Sequence, residues 1–128
     1  MPKKAIFTTL FLGWVLVITG LSLFDFSPDN KGIEIPYLDK LVHFTFYFVF
    51  VVLGGMVLKY QKMNTKPLRN LIFLIALAIF YGLVMEGLQS LLPVDRTAEI
   101  WDVLANTIGA IMGGTLIKTH LSRSHALK

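Results

Sequence analysis

The sequence contains no cysteine and few charged residues. Without cysteine, the chain cannot form disulfides, use a thiol nucleophile or bind a metal through thiolates. Charged residues make up 16% of the 128 residues, whereas a soluble domain normally contains about 25%. The chain also contains no internal repeat and no low-complexity tract. These absences exclude cysteine chemistry and argue against an ordinary soluble domain.

Apolar residues make up 55% of the chain, and the mean hydropathy is +0.66. They fall into four runs, at about residues 5–24, 38–58, 68–92 and 100–117. Each run is close to the roughly 20 residues that a helix needs to cross a bilayer. The first run is longer than the apolar core of a signal peptide and no small-x-small cleavage site follows it, so we interpret it as a span. We predict an all-α membrane protein with a single domain over residues 1–128, in which four transmembrane helices form a compact bundle.

The charged residues sort to opposite sides of these runs. All eight acidic residues lie in or beside the first and third connectors. Most basic residues lie in the amino terminus, the second connector and the carboxyl tail, namely Lys3, Lys4, Lys59, Lys62, Lys66, Arg69, Lys118, Arg123 and Lys128. Because short positively charged segments stay in the cytoplasm, we predict a multi-pass protein of the cell membrane with both termini cytoplasmic. The basic residues form no contiguous face, so we expect no nucleic-acid partner.

Polar side chains lie inside the second and third runs at helical spacing. Asp39, His43 and Tyr47 are four residues apart and therefore share one helix face. Glu86 lies about 9 Å before the predicted end of the third helix, with Gln89 on the same side. Ionisable groups in membrane helices are costly and usually face a bundle interior or a wet cavity. Asp39 could instead cap its helix, and Glu86 could pin two helices together.

The fourth predicted helix carries Asp102, Asn106, Gly109 and Gly113 along one side. The two glycines form a G-x-x-x-G pair, which permits close contact between helices. That contact would carry Asp102 and Asn106 into the bundle, beside the polar groups of the second and third helices. Since all three sets lie at the same predicted outer surface, we predict one polar pocket near the outer leaflet.

Arg96 and Lys40 supply cations beside this predicted pocket. A guanidinium binds carboxylate or phosphate through two parallel hydrogen bonds, so Arg96 could clamp an anion over the carboxylates. It could equally be a solvated loop charge that pairs with Asp95 or Glu99. Lys40 could share the anion-binding role or extend to the membrane surface.

These segments resemble the VanZ-like family of small bacterial membrane proteins. The resemblance is carried by residues 39–44 with Tyr47, by Tyr81 and Gly82 with Glu86 and Gln89, and by Arg96 followed by Asp102, Asn106 and Gly109. It covers residues 38–114 and implies a role in the bacterial envelope, at the inner membrane. The family is named for a protein linked to resistance to the glycopeptide antibiotic teicoplanin. The resemblance does not imply a particular reaction.

The pocket and the resemblance together favour recognition or modification of a lipid-linked or anionic envelope molecule. In an enzyme, His43 with Glu86 or Asp102 would act as acid and base. The binding residues would be Asp39, Lys40, Tyr47, Gln89, Arg96 and Asn106. The expected partner is a membrane lipid or a lipid-linked envelope molecule, and the resemblance implies a link to glycopeptide resistance. The residues leave open whether the protein is an enzyme.

Three other interpretations stay open. The polar groups could carry protons or cations, although alternating access by four helices would need a homo-oligomer. They could instead be structural and orient the helices. The imidazole and carboxylate side chains could also bind a divalent cation. Their spacing within each helix is not a metal signature, so we expect no metal and no cofactor.

Overall fold

The computed structural model contains four helices and describes residues 2–23, 37–61, 66–91 and 100–126. The helices are α1 (Lys3–Leu23), α2 (Leu38–Lys59), α3 (Pro67–Leu91) and α4 (Ile100–Ala126). No strand occurs in these ranges, and the side chains of α4 are described as far as Arg123. Each helix is long and apolar enough to cross a membrane. The prediction of an all-α protein with four transmembrane helices is therefore confirmed.

The helix ends follow local sequence signals only in part. α3 begins at Pro67, whose fixed φ and missing N–H suit the first helical position. α4 continues to Ala126 instead of ending near Ile117, because residues 118–123 contain no Gly or Pro that would stop it. The Thr119 hydroxyl in this extension donates to the Thr115 carbonyl at 2.9 Å. Hydropathy therefore marked where the apolar segment ends, while the helix itself runs further.

α2 contacts all three other helices and forms its longest interface with α4. The two helices run parallel, because Gly109 and Gly113 of α4 lie in the same order against Phe44 and Phe48 of α2. A Cβ on Gly113 would lie 2.7 Å from the Phe48 carbonyl oxygen, and a Cβ on Gly109 would collide with the Phe44 carbonyl oxygen. The glycines therefore allow the close approach that places the first turns of α2 and α4 side by side.

Apolar side chains form both the core and much of the outer surface of the bundle. The core includes Phe46, Tyr47 and Val51 of α2, packed against residues of the other three helices. Large apolar side chains also point outward, and Leu16 and Phe73 are 73% and 70% exposed. A soluble protein rarely exposes contiguous apolar surface on this scale, whereas lipid chains would cover it. The protein is therefore a multi-pass membrane protein.

The two ends of the bundle carry opposite charges. The acidic end is formed by the last turns of α1 and α3 and the first turns of α2 and α4, and it holds Asp39, Glu86 and Asp102. The basic end lies opposite and holds Lys3, Lys4, Lys59, Arg69 and Lys118.

Candidate functional site

Three helices bring polar side chains together inside the acidic end. His43 is the sixth residue of α2, Glu86 lies five residues before the end of α3, and Asn106 is the seventh residue of α4. At roughly 1.5 Å per residue, each lies about 8–9 Å from the end of its helix. The depths match because α3 runs opposite to α2 and α4. His43, Glu86 and Asn106 are only 6%, 5% and 2% exposed, so the cluster lies within the bundle.

His43 lies at the centre of this cluster. Its Nδ1 is 3.0 Å from Asn106 Oδ1 and 3.5 Å from Glu86 Oε1. Since an amide oxygen can only accept, Nδ1 donates to Asn106 in this bond. Nε2 lies 3.6 Å from Asp102 Oδ2 and 3.7 Å from Asp39 Oδ1. The hydrogen bond to α4 therefore fixes the ring, and Nε2 is the nitrogen that can exchange a proton with a ligand.

Lys40 closes the cluster on its outer side. Its Nζ donates to Asp102 Oδ1 at 2.5 Å and to Asp39 Oδ2 at 3.1 Å. The side chain of Asp102 is 6% exposed, whereas that of Asp39 is 60% exposed. Lys40 thus neutralises a buried carboxylate and joins α2 to α4 at the rim of the pocket. Arg96, the other predicted cation of the pocket, lies outside the described residues.

Asp39, His43 and Asp102 also offer the ligand types that a divalent cation uses. One ligand atom from each residue lies within 4.8 Å of the others, and imidazole and carboxylate groups suit several divalent metals. The Lys40 ammonium already contacts both of these carboxylates. A metal ion bound here would therefore have to displace an ammonium group.

Glu86 carries a buried carboxylate oxygen, Oε2, that has no hydrogen-bond partner among the described residues. α3 comes this close because Gly82 has only hydrogen where a Cβ would lie 3.1 Å from Asn106 Nδ2. An unpaired buried polar atom costs roughly 1–3 kcal/mol. A hydroxyl or amine that entered the pocket would satisfy Oε2, so this atom is a candidate ligand contact.

Two predicted binding residues contact other parts of the bundle. Gln89 is 3% exposed and donates through Nε2 to the Ser22 carbonyl at 2.8 Å, which joins α3 to α1. Tyr47 is 1% exposed, and its ring packs 6.4 Å from that of Tyr81. Tyr47 lies one turn deeper than His43 on the same face of α2. Tyr47 therefore lies in the core below the polar cluster, whereas Gln89 lies nearer the end of α3 than Glu86 and contacts α1.

α1 contributes polar contacts that sequence analysis did not predict. The Thr19 and Tyr81 hydroxyl groups are hydrogen-bonded to each other, which is a second link between α1 and α3. Trp14 Nε1 donates to the Phe46 carbonyl at 2.8 Å and joins α1 to α2. Thr19 and Ser22 are three residues apart and share a helix face, which is a weak signal for this contact because Thr8 and Thr9 lie in the same run.

Comparison with known proteins agrees with the resemblance seen in the sequence. The sequence model of the VanZ/LLP1 family matches residues 4–121, a range that includes every residue of the polar cluster. No curated protein and no solved structure matches the chain. Since the family match extends over almost the whole sequence, the chain belongs to the VanZ/LLP1 family.

Proposed function

We propose that the polar cluster of the acidic end binds a lipid-linked or anionic molecule of the cell envelope and exchanges a proton with it. The observation that supports this most strongly is the position of His43. Its ring lies among an amide and three carboxylates that come from three helices. General acid–base catalysis needs such a proton carrier within hydrogen-bond reach of the substrate.

His43, Glu86 and Asp102 are the proposed acid and base. Nε2 of His43 would exchange a proton with a hydroxyl group of the bound molecule, while Asp102, at 3.6 Å, stabilises the protonated ring. Asn106 holds the ring in place through Nδ1. Glu86 Oε2 offers a second acceptor inside the pocket.

The proposed binding residues divide the pocket into a rim and an interior. Lys40 already contacts Asp39 and Asp102, so an anionic group would remain at the rim, beside Lys40. Arg96 is the second residue proposed to bind that group. Hydroxyl or amine groups of the same molecule would enter and meet the carboxylates and Asn106. Tyr47 would support the interior from the core, and Gln89 would support it from the side of α1.

The proposed orientation places the acidic end outside the cytoplasm and both termini inside it. Its support is the basic character of the amino terminus, the second connector and the carboxyl tail. Because the chain has no cysteine, single-cysteine labelling tests it directly. Ser90→Cys and Ser122→Cys place a thiol on exposed positions of opposite ends. A membrane-impermeant maleimide should label only Ser90→Cys in intact spheroplasts, and labelling of Ser122→Cys alone would reverse the orientation.

We also propose that the envelope role includes resistance to glycopeptide antibiotics of the teicoplanin type. The support is the resemblance to a family named for a protein with that association. Expression of the chain in a teicoplanin-susceptible bacterium should raise the minimum inhibitory concentration, and His43→Gln should return it to the value of the host. Thr45→Val, on an exposed position of α2, is the control. If the wild-type chain is present in the membrane at its normal level and the minimum inhibitory concentration is unchanged, the link to resistance is rejected. The proposed binding role would not be affected by that result.

Native mass spectrometry of the full chain, extracted with its membrane lipids, tests the proposed binding. We expect one class of amphiphile with a polar headgroup to stay bound at detergent concentrations that remove bulk lipid. Glu86→Gln should lower its retention, since it alters a buried carboxylate whose Oε2 has no hydrogen-bond partner among the described residues, whereas Thr45→Val should not. A wild-type protein that retains no such molecule would contradict the proposal.

A purely structural role is the second candidate, and the bonds between helices favour it. Lys40 with Asp102 and His43 with Asn106 both join α2 to α4. Such polar contacts stabilise membrane bundles by roughly 1 kcal/mol each. If the role is structural, substitution of His43 will lower the free energy of unfolding without changing the molecules that remain bound.

A further inference from the structure

The basic end contains an open cavity of about 680 Å³ between the start of α1 and the end of α2. Two of its lining residues, Lys3 and Lys4, carry positive charge, and Thr8, Tyr60 and Gln61 add polar groups. The first turn of α1 also borders the cavity, and the positive end of the helix dipole favours an anion there. The cavity therefore has the size and the charge for an anionic headgroup.

Ammonium groups gather beside this cavity, and no carboxylate among the described residues lies near them. The Nζ atoms of Lys3 and Lys59 lie 5.7 Å and 5.5 Å from the centre of the Tyr60 ring. Lys59 Nζ also lies 2.8 Å from His120 Nε2. All described acidic residues lie at the opposite end of the bundle. A shared anion would relieve the repulsion between the ammonium groups.

A crevice of about 370 Å³ lies next to the cavity, between α1, α2 and α3. Most of its lining residues are apolar, but Asn70 and Gln61 also line it, and Gln61 lines the cavity as well. Its walls include Phe11, Val57, Phe73 and Leu77, and Phe73 and Leu77 face outward. Because these helices cross the membrane, the crevice opens to the hydrocarbon region. A basic cavity joined to an apolar crevice matches a molecule with an anionic head and a hydrocarbon chain.

We infer that the basic end binds an anionic phospholipid, with its phosphate group near Lys3 and Lys4 and one acyl chain in the crevice. Basic pockets at the ends of membrane helices are suited to anionic lipid headgroups. Inorganic phosphate has the same charge but no chain, so it would occupy the cavity alone. The inference does not depend on the function proposed for the acidic end.

The test measures lipid retention by the full chain in nanodiscs that contain equal amounts of phosphatidylglycerol and phosphatidylcholine. After release, native mass spectrometry should show that the wild type retains phosphatidylglycerol about tenfold over phosphatidylcholine. Lys3→Gln combined with Lys4→Gln should lower this ratio by about tenfold. Arg69→Gln combined with Lys118→Gln removes the same charge outside the cavity and should leave the ratio unchanged. Equal retention of both lipids by the wild type, or equal losses in the two double variants, would overturn the inference.

A second pair of variants tests the crevice. Leu77→Trp would fill it, whereas Leu83→Trp adds the same ring on the same helix outside it, and the two leucines are similarly exposed, at 43% and 49%. Leu77→Trp should lower phosphatidylglycerol retention severalfold, whereas Leu83→Trp should bind as much phosphatidylglycerol as the wild type. If inorganic phosphate displaces the lipid fully and Leu77→Trp retains it normally, the site takes phosphate groups in general and the lipid assignment is wrong.

Discussion

The acidic and basic ends neutralise their charges in different ways. At the acidic end, Lys40 and His43 lie among three carboxylates, and the buried groups contact one another across α2, α3 and α4. At the basic end, Lys3 and Lys59 lie near an aromatic ring, and Lys59 also contacts His120. No described carboxylate lies at that end. The acidic end therefore pairs most of its charged groups with one another, whereas the described charges of the basic end face no carboxylate.

This difference predicts selective binding at the acidic end and less selective attraction of anions at the basic end. A buried charge must be paired and hydrogen-bonded, which fixes each side chain in one position. Exposed charges need no such pairing and hold no fixed geometry. His43 is 6% exposed and hydrogen-bonded to Asn106, so the site proposed for the acidic end would recognise particular polar groups. Substitutions there should also cost more stability than substitutions at the basic end.

Gly109→Ala should have the largest effect, because it would separate α2 from α4 beside the acidic cluster. The added Cβ would collide with the Phe44 carbonyl oxygen, and a backbone group cannot move aside as a side chain can. We expect the free energy of unfolding to fall by about 3 kcal/mol, measured by titration with sodium dodecyl sulfate in mixed micelles. Gly87→Ala is the control, because a Cβ there meets nothing within 4 Å. If both variants lose the same free energy of unfolding, the close contact at Gly109 is not the cause of the loss.

Double-mutant cycles compare one contacting pair of polar side chains from each end. Lys40→Met with Asp102→Asn removes a pair in which the Asp102 side chain is 6% exposed, and we expect a coupling free energy of about 2 kcal/mol. Lys59→Met with His120→Gln removes an exposed pair, and its coupling should stay below about 0.5 kcal/mol. The measurement is the same unfolding titration. Similar coupling at the two ends would remove the distinction between them.

Gln89→Met tests whether the hydrogen bond to the backbone of Ser22 holds α1 against α3 at the acidic end. The substitution removes the 2.8 Å hydrogen bond to the Ser22 carbonyl, and we expect a loss of about 1 kcal/mol in the free energy of unfolding. Gln61→Met at the basic end replaces an exposed amide and should change this free energy very little. A loss in Gln61→Met as large as that in Gln89→Met would contradict the assignment.

The four helices could be predicted from the sequence because the thickness of a bilayer fixes the length of an apolar run. The end of α4 could not be predicted in this way, because hydropathy reports where the apolar segment ends and a polar helix can continue beyond that point. His43, Glu86 and Asn106 could be placed at one depth because alternating helix directions bring those ends together. The depth of each then follows from the rise per residue.

The contacts of α1 were beyond prediction for a physical reason. Most of its residues are apolar, and apart from the weak signal of Thr19 and Ser22 periodicity does not show which face meets α2 or α3. Gln89 illustrates the consequence, because it shares a side of α3 with Glu86 and yet bonds to Ser22. Tyr47 shares a face with His43 but lies a turn deeper, in the core. The spacing of residues predicts which of them share a helix face, whereas the packing of the helices decides which residues they contact.

The most direct test of the function proposed for the acidic end measures two properties of His43→Gln in one preparation. These are the free energy of unfolding and the amount of the amphiphile that the wild type retains in native mass spectrometry. We predict at least a tenfold loss of the bound amphiphile with a loss of about 1 kcal/mol or less in stability, and no change in Thr45→Val. A His43→Gln protein that unfolds more readily and still retains the amphiphile would contradict the binding role and leave the cluster a structural one.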